Sequence, residues 1–428
     1  MAIKPYILRL AGVHIIFLGL SLTGCGVKLS DKSTTGDIDV QLPMPVQRSD
    51  AGDTTQQPYE FQIVKLLNVF ELSKVRGQYA RFYLSPKIKD NRLDGAFPSA
   101  DFVKNKKNVY TPTNEISTQM ASIYFHMQNM ALLDEKLGAG SVNRWPRDIG
   151  LNVKMKSPEG LIHNNAVYDG AYDAILFVAD ENNNLPIAVN GGILAHEHFH
   201  SLFYKMVLKK LYQEEVIPKK VPLGTSAEGV QPSEEQSRQV YNLVLLKGLN
   251  EGLADFWGWM YTNDNNFIVH SIPIVEEGRS LKLSKPELQT LVLPTKQEIF
   301  EDTQVYIRNG SLLEANMNRL SYELGTQFAR NLKGFVVQHQ ESRKINLLQA
   351  KENIAKAVIK FLPQVTNEFL SKGKKEYVYP STLISRMVEG ITSLTMGECE
   401  SFIQVLVRTK EADHLLKCKN ENGKIKIQ

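Results

Sequence analysis

Gly192-Ile193-Leu194-Ala195-His196-Glu197-His198-Phe199-His200 is the stretch on which the fold turns. On a helix, His196 and His200 stand one turn apart on the same face, so both imidazoles can reach a single metal ion. Glu197 is offset by about 100°, beside that face, where a carboxylate can serve a metal-activated water as general base. His198 projects the other way and reads as a surface or core-edge histidine. The run from Gly192 to Leu211 predicts an amphipathic helix, with Ile193, Phe199, Leu202, Phe203, Met206 and Val207 as its apolar positions.

A catalytic zinc ion takes three protein ligands and keeps one position open. A second predicted helix, from about Gln239 to Tyr261, carries Asn250-Glu251-Gly252-Leu253-Ala254-Asp255. Glu251 and Asp255 share one face, flanked by Leu249, Leu253, Phe256 and Trp257. Carboxylates in so apolar a helix need partners, because burying an unpaired charge is costly. Glu251 is therefore the candidate third ligand. Asp255 is the candidate acceptor for the outer N–H of a ligand histidine.

Working outward, Thr113-Asn114-Glu115 marks a helix start and Leu137-Gly138 its end. Ile116, Met120, Ile123, Tyr124, Met127, Met130 and Leu133 form the stripe between them. Leu151 to Met155 alternates like a strand. Ala166-Val167-Tyr168, then Asp169-Gly170 and a run to Val178, predicts a hairpin closed by a primed turn. Residues 212–238, with Pro218, Pro222, Gly224 and Pro232 among scattered charges, read as a surface insertion. Beyond residue 310 helical periodicity continues to about Leu416. Together these predict an α+β fold in two lobes: an N-terminal mixed sheet with helices (59–211) and a mainly helical C-terminal lobe (239–428).

The N-terminus reads as an export signal over residues 1–24. Lys4 and Arg9 precede an apolar stretch that is too short for an ordinary membrane span. Leu22-Thr23-Gly24-Cys25 resembles the bacterial lipobox, which implies diacylation of Cys25. Gly26 stands where the inner-membrane retention signal has Asp, which favours the outer membrane. Residues 25–58, rich in Ser, Thr, Asp, Gly, Gln and Pro, read as a flexible tether. Cys399 and Cys418 are then an even pair in an exported chain; they either bridge or stand as two buried thiols. The chain has 428 residues, 43% hydrophobic and 22% charged, and a formal charge of +4. Setting aside Lys4 and Arg9 leaves +2, and no basic stripe marks a nucleic-acid partner.

The zinc motif with the Asn250-Glu251…Asp255 helix resembles the gluzincin metallopeptidases, closest to the thermolysin and fungalysin-like families. Asn164-Asn165-Ala166 is similar to the edge strand on which these enzymes lay the substrate backbone, which implies Asn165 and Ala166 as substrate contacts. The helix from Asn114 to Leu137 resembles the one preceding their sheet. The similarity covers roughly residues 105–335. Fifty residues separate His200 from Glu251, a longer interval than in those families. Their transition-state histidine has no clear counterpart: one alignment puts Ser311 there, near Arg308, and another makes Tyr322 the oxyanion donor, as in the gluzincin aminopeptidases. The exopeptidase signature of the latter is absent.

The resemblance implies a zincin-like endopeptidase holding one Zn²⁺ per chain. His196, His200 and Glu251 would be its ligands, Glu197 the general base and Tyr322 an oxyanion donor. Its partners would be a peptide or protein substrate and, through Cys25, the outer membrane. Two other functions are compatible with the motif: a lipid-anchored zinc-binding scaffold, and a zinc hydrolase of a non-peptide envelope substrate.

Overall fold

The computed structural model describes residues 36–45, 59–89, 92–157, 160–179, 185–217, 233–272, 276–282, 301, 313–391, 394–400, 417–421 and 424–427. All belong to one unit, Thr34–Gln428. The signal segment, Cys25, Arg308 and Ser311 lie outside the described residues, as does most of the 212–238 insertion. The chain is mixed α+β, with an N-terminal mixed sheet and a helical C-terminal region. No helix among the described residues is long and apolar enough to cross a membrane.

The strands up to the first helix are β1 (Gly36–Pro45), β2 (Tyr59–Glu71), β3 (Arg76–Gly77), β4 (Ala80–Lys89), β5 (Arg92–Ala96), β6 (Phe102–Lys104) and β7 (Tyr110–Pro112). The strand β1 corrects the tether reading for its ten residues. Ile38, Val40 and Leu42 alternate into the core, a period-2 signal outweighed by the polar composition on either side. Helix α1 (Glu115–Leu137) starts at Asn114, whose side chain accepts from Ser117 N–H, and ends at Gly138 in the left-handed region (φ 84°). Then come β8 (Arg147–Val153), β9 (Met155–Ser157), β10 (Gly160–Ile162), β11 (Ala166–Asp169) and β12 (Ala174–Val178).

Five strands form the sheet that positions the site, in the order β11-β12-β8-β4-β5. The pairs β12/β8 and β8/β4 are parallel; β11/β12 and β4/β5 are antiparallel. Every residue of β12 is buried, as expected of an apolar run inside a sheet covered on both faces, and this leaves β11 at the edge. The hairpin expectation needs one correction. Asp169 pairs with Ala174, so the turn is a four-residue loop, Gly170–Asp173, and not a two-residue primed turn. Asp169 Oδ1 organises it by accepting from Ala171 N (2.9 Å) and Tyr172 N (3.3 Å).

Helix α2 (Gly191–Phe203) carries His196, Glu197 and His200, continues through a π-helical turn (Tyr204–Leu208) and ends in α3 (Lys209–Gln213). All of its residues except His200 are buried, so this part of the expected amphipathic helix is surrounded by protein, and exposed positions return only in its continuation, at Lys209 and Lys210. His198 is accordingly not at the surface. It is wholly buried, lies 3.0 Å from both carboxylate oxygens of Asp134 on α1, and stacks on Trp145.

The remaining elements are α4 (Glu234–Thr262), α5 (Glu276–Arg279), α6 (Leu313–Arg343), α7 (Leu347–Lys372), α8 (Pro380–Glu389), β13 (Cys418–Glu421) and β14 (Lys424–Ile427). Helix α4 begins five residues before the expected start, at a Ser233/Gln236 capping box. It packs backbone to backbone on α6. A Cβ added at Gly252 would meet Gly325 O at 2.4 Å, and one at Gly325 would meet Gly248 O at 2.9 Å. Cys399 and Cys418 form a disulfide, tying residues 396–400, which are helical, to the terminal hairpin β13–β14.

Candidate metal centre and cleft

Helix α2 and helix α4 bring the expected metal-binding side chains together. His196 Nε2 and His200 Nε2 are 2.9 Å apart. The Glu251 carboxylate lies 3.6 Å from the first and 3.7 Å from the second. Each imidazole has an acceptor on its far side: Asp255 Oδ1 is 2.9 Å from His196 Nδ1, and Asn250 Oδ1 is 3.0 Å from His200 Nδ1. An acceptor at Nδ1 holds the proton there, so both Nε2 atoms present lone pairs to the same point, beside a carboxylate. In that tautomer the two imidazoles and the carboxylate form a donor set that suits a cation with nitrogen and oxygen ligands. Glu251 Oε2 is buried and has no hydrogen-bond partner among the described residues.

The donor atoms of His196, Glu197 and His200 also lie within 4.8 Å of one another and could hold a metal ion. The two glutamates differ in what already occupies them. Glu197 Oε2 accepts from the backbone N–H of Tyr168 on β11 at 2.7 Å, whereas Glu251 faces the histidines.

Tyr168 is itself tied down from behind. Its hydroxyl donates to Asp173 Oδ1 at 3.1 Å, and Lys205 Nζ (2.7 Å) and the buried Arg147 (3.1 Å) hold the same carboxylate. Since Tyr168 N–H points at Glu197 while Asn165 C=O accepts from Val178 N on β12, backbone alternation puts the N–H and C=O of Ala166 on the open edge with Tyr168 N–H. Asn165 and Ala166 line the cleft, as do Tyr322, Ile193, Ile268 and Ile272; its volume is about 290 Å³.

Arg279, on α5, had no signal in the sequence, because nothing in Glu276-Glu277-Gly278-Arg279 marks it locally. Its Nη2 lies 2.6 Å from Asp255 Oδ1 and 3.7 Å from Glu251 Oε2, and its guanidinium stacks 4.5 Å from the Tyr322 ring centroid. The segment behind it is latched to α6: Arg330 donates to Ser280 O and Lys333 to Leu281 O.

The charges set the titration of the metal-free site. Burial pushes the Glu197 carboxyl up, and the neighbouring Glu251 charge adds to this. Burial also works against an Asp255 carboxylate, but Arg279 and then His196 outweigh it and bring the group below its ordinary value. For His196, burial opposes the charged form and Asp255 reverses the balance upward. The Glu251 charge, then burial, raises the Tyr322 hydroxyl and keeps it a proton donor.

Neither a scan of protein-family models nor a search of curated proteins finds a match to this chain.

Proposed function

We propose that the chain is a zinc-dependent endopeptidase of the bacterial envelope, held at the outer membrane by lipid on Cys25. The observation that carries this reading is the convergence of two imidazole lone pairs and the Glu251 carboxylate beside an open strand edge. His196, His200 and Glu251 would hold the metal; the hydrogen bond from Tyr168 leaves Glu197 for proton transfer. Zinc, when bound, supplies Lewis-acid polarisation of the scissile carbonyl and of the attacking water.

Glu197 takes the water's proton and delivers it to the leaving amine. Its raised proton affinity suits a group that must hold that proton between the two events. The open edge of β11 at Ala166 pairs with the substrate backbone by strand addition. Tyr322, kept protonated, donates to the developing oxyanion, and Arg279 packed on its ring fixes its place.

The test is metal analysis of the full chain together with cleavage of an unbiased peptide library. One zinc per chain is expected, lost in His196→Ala, His200→Ala and Glu251→Ala. Glu197→Gln should keep the zinc and lose about 10²- to 10⁴-fold in turnover. A zinc-replete protein that cleaves nothing would leave the metal a structural one.

A further inference from the structure

The cleft does not end at the metal centre. A second chamber of about 170 Å³ opens beyond it and shares Leu208, Asn250, Glu251 and Tyr322 as a common wall. Its remaining apolar wall is Tyr212, Leu243 and Leu246. With Leu208, these three all come from the long interval between His200 and Glu251, from the continuation of α2 and the first half of α4. That interval thus builds a cavity next to the chemistry.

Several polar groups of the lining are already engaged. Lys247 Nζ donates to Asn318 Oδ1 (3.2 Å), Ser321 Oγ to Met317 O (2.6 Å), and Asn250 Oδ1 faces His200 Nδ1. With these groups engaged and Leu208, Tyr212, Leu243 and Leu246 supplying apolar surface, the chamber suits an apolar occupant.

The strand edge says which residue of a peptide would enter. The loop after β11 abuts the continuation of α2, because a Cβ at Gly170 would meet the Tyr204 ring at 2.5 Å. Leu208 lies about one turn further along that helix, at the chamber. A peptide adding antiparallel to β11, the more stable pairing, runs with its N-terminal part toward Gly170 and Tyr204. Its residues before the scissile bond therefore lie on the chamber side.

We propose that this chamber is the subsite for the residue immediately N-terminal to the scissile bond, and that it selects an apolar side chain of leucine to phenylalanine size. The assignment rests on the peptidase reading above. The experiment uses the zinc-loaded full chain and peptides that differ only at that residue, as Gly, Ala, Leu, Phe, Trp, Glu or Lys. Leu or Phe should exceed Gly, Glu and Lys by about 10- to 200-fold in kcat/KM. Tyr212→Ala should move the optimum toward Trp, and Leu208→Trp toward Gly and Ala. Each variant is compared across substrates within one preparation, so partial loss of folded protein cancels.

Equal rates, a best substrate with Glu or Lys, or a preference that neither variant moves would overturn the chamber and leave the peptidase reading standing. A preference found instead at the residue after the cleaved bond overturns the antiparallel placement. If nothing is cleaved, the peptidase reading falls. Binding of the same peptides to Glu197→Gln by fluorescence anisotropy then decides the chamber: affinity rising from Gly to Phe and answering to Tyr212→Ala supports it, and a flat series overturns it.

Discussion

Asp255→Asn changes one atom and the charge of a side chain that is 1% exposed. The native carboxylate serves two donors, His196 Nδ1–H at 2.9 Å and the Arg279 guanidinium at 2.6 and 3.3 Å. Asn has one oxygen for both. The charge-assisted bond to Arg279 is the stronger claim on it, which turns the amide N–H₂ toward His196. The imidazole must then accept at Nδ1, its proton moves to Nε2, and the lone pair that faces the metal is lost. The expected loss in zinc affinity is about 10- to 100-fold, or about 1.4–2.7 kcal/mol.

Asn250→Ala provides the contrast, because it removes only a neutral acceptor from His200, worth about 0.5–1.5 kcal/mol net. Chelator competition on the full chain measures both. Wild-type affinity in Asp255→Asn, or a larger loss in Asn250→Ala, would refute the tautomer argument. Separately, the metal-free Asp255→Asn protein should be less stable by about 3–5 kcal/mol, the usual cost of breaking a buried pair. Adding Arg279→Met should recover much of that in a denaturant titration.

Other outcomes follow from features outside the centre. Burial would raise the Glu398 carboxyl, but Arg343, with Thr395 and Ser342, brings it to about 2. A depressed carboxyl stabilises above its ordinary value of 4.5, so Glu398→Gln should cost about 1–3 kcal/mol at pH 7 once solvent screening is allowed for. That difference in urea stability should vanish as pH falls from 4.5 toward 2. Reducing the Cys399–Cys418 bridge, 19 residues apart, should lower stability by about 3 kcal/mol; an unchanged melting curve would count against the loop-entropy account. Cys25→Ser should abolish fatty-acid labelling and release the protein from membranes, and labelling that persists would remove the lipobox reading.

What could be read from the chain depended on whether the signal was local. Both ends of α1 were legible because Asn114 and Gly138 are the residues that cap it. The shared faces of His196 with His200 and of Glu251 with Asp255 are legible because a four-residue spacing puts side chains on one side of a helix. The start of α4 was missed although Ser233 and Gln236 spell a capping box, because proline and glycine nearby drew the whole stretch into a loop. The direction of His198, away from the face of His196 and His200, is legible, but nothing local says that α1 waits there with Asp134. Arg279 was beyond reach, since its value comes entirely from α4 and α6 closing around it.

The glycines at 248, 252 and 325 have a mechanical meaning beyond close packing. Glu251 and Tyr322 stand on two helices whose main chains approach closely at these glycines, with Leu324 and Phe328 packed over them, which leaves little slack at that contact. Glu251 and Tyr322 thus keep a fixed gauge between them. Room for a bulky occupant of the cleft has to come from elsewhere in its lining, as at the Gly170–Asp173 loop, which is held through Asp173 by Lys205 and Arg147.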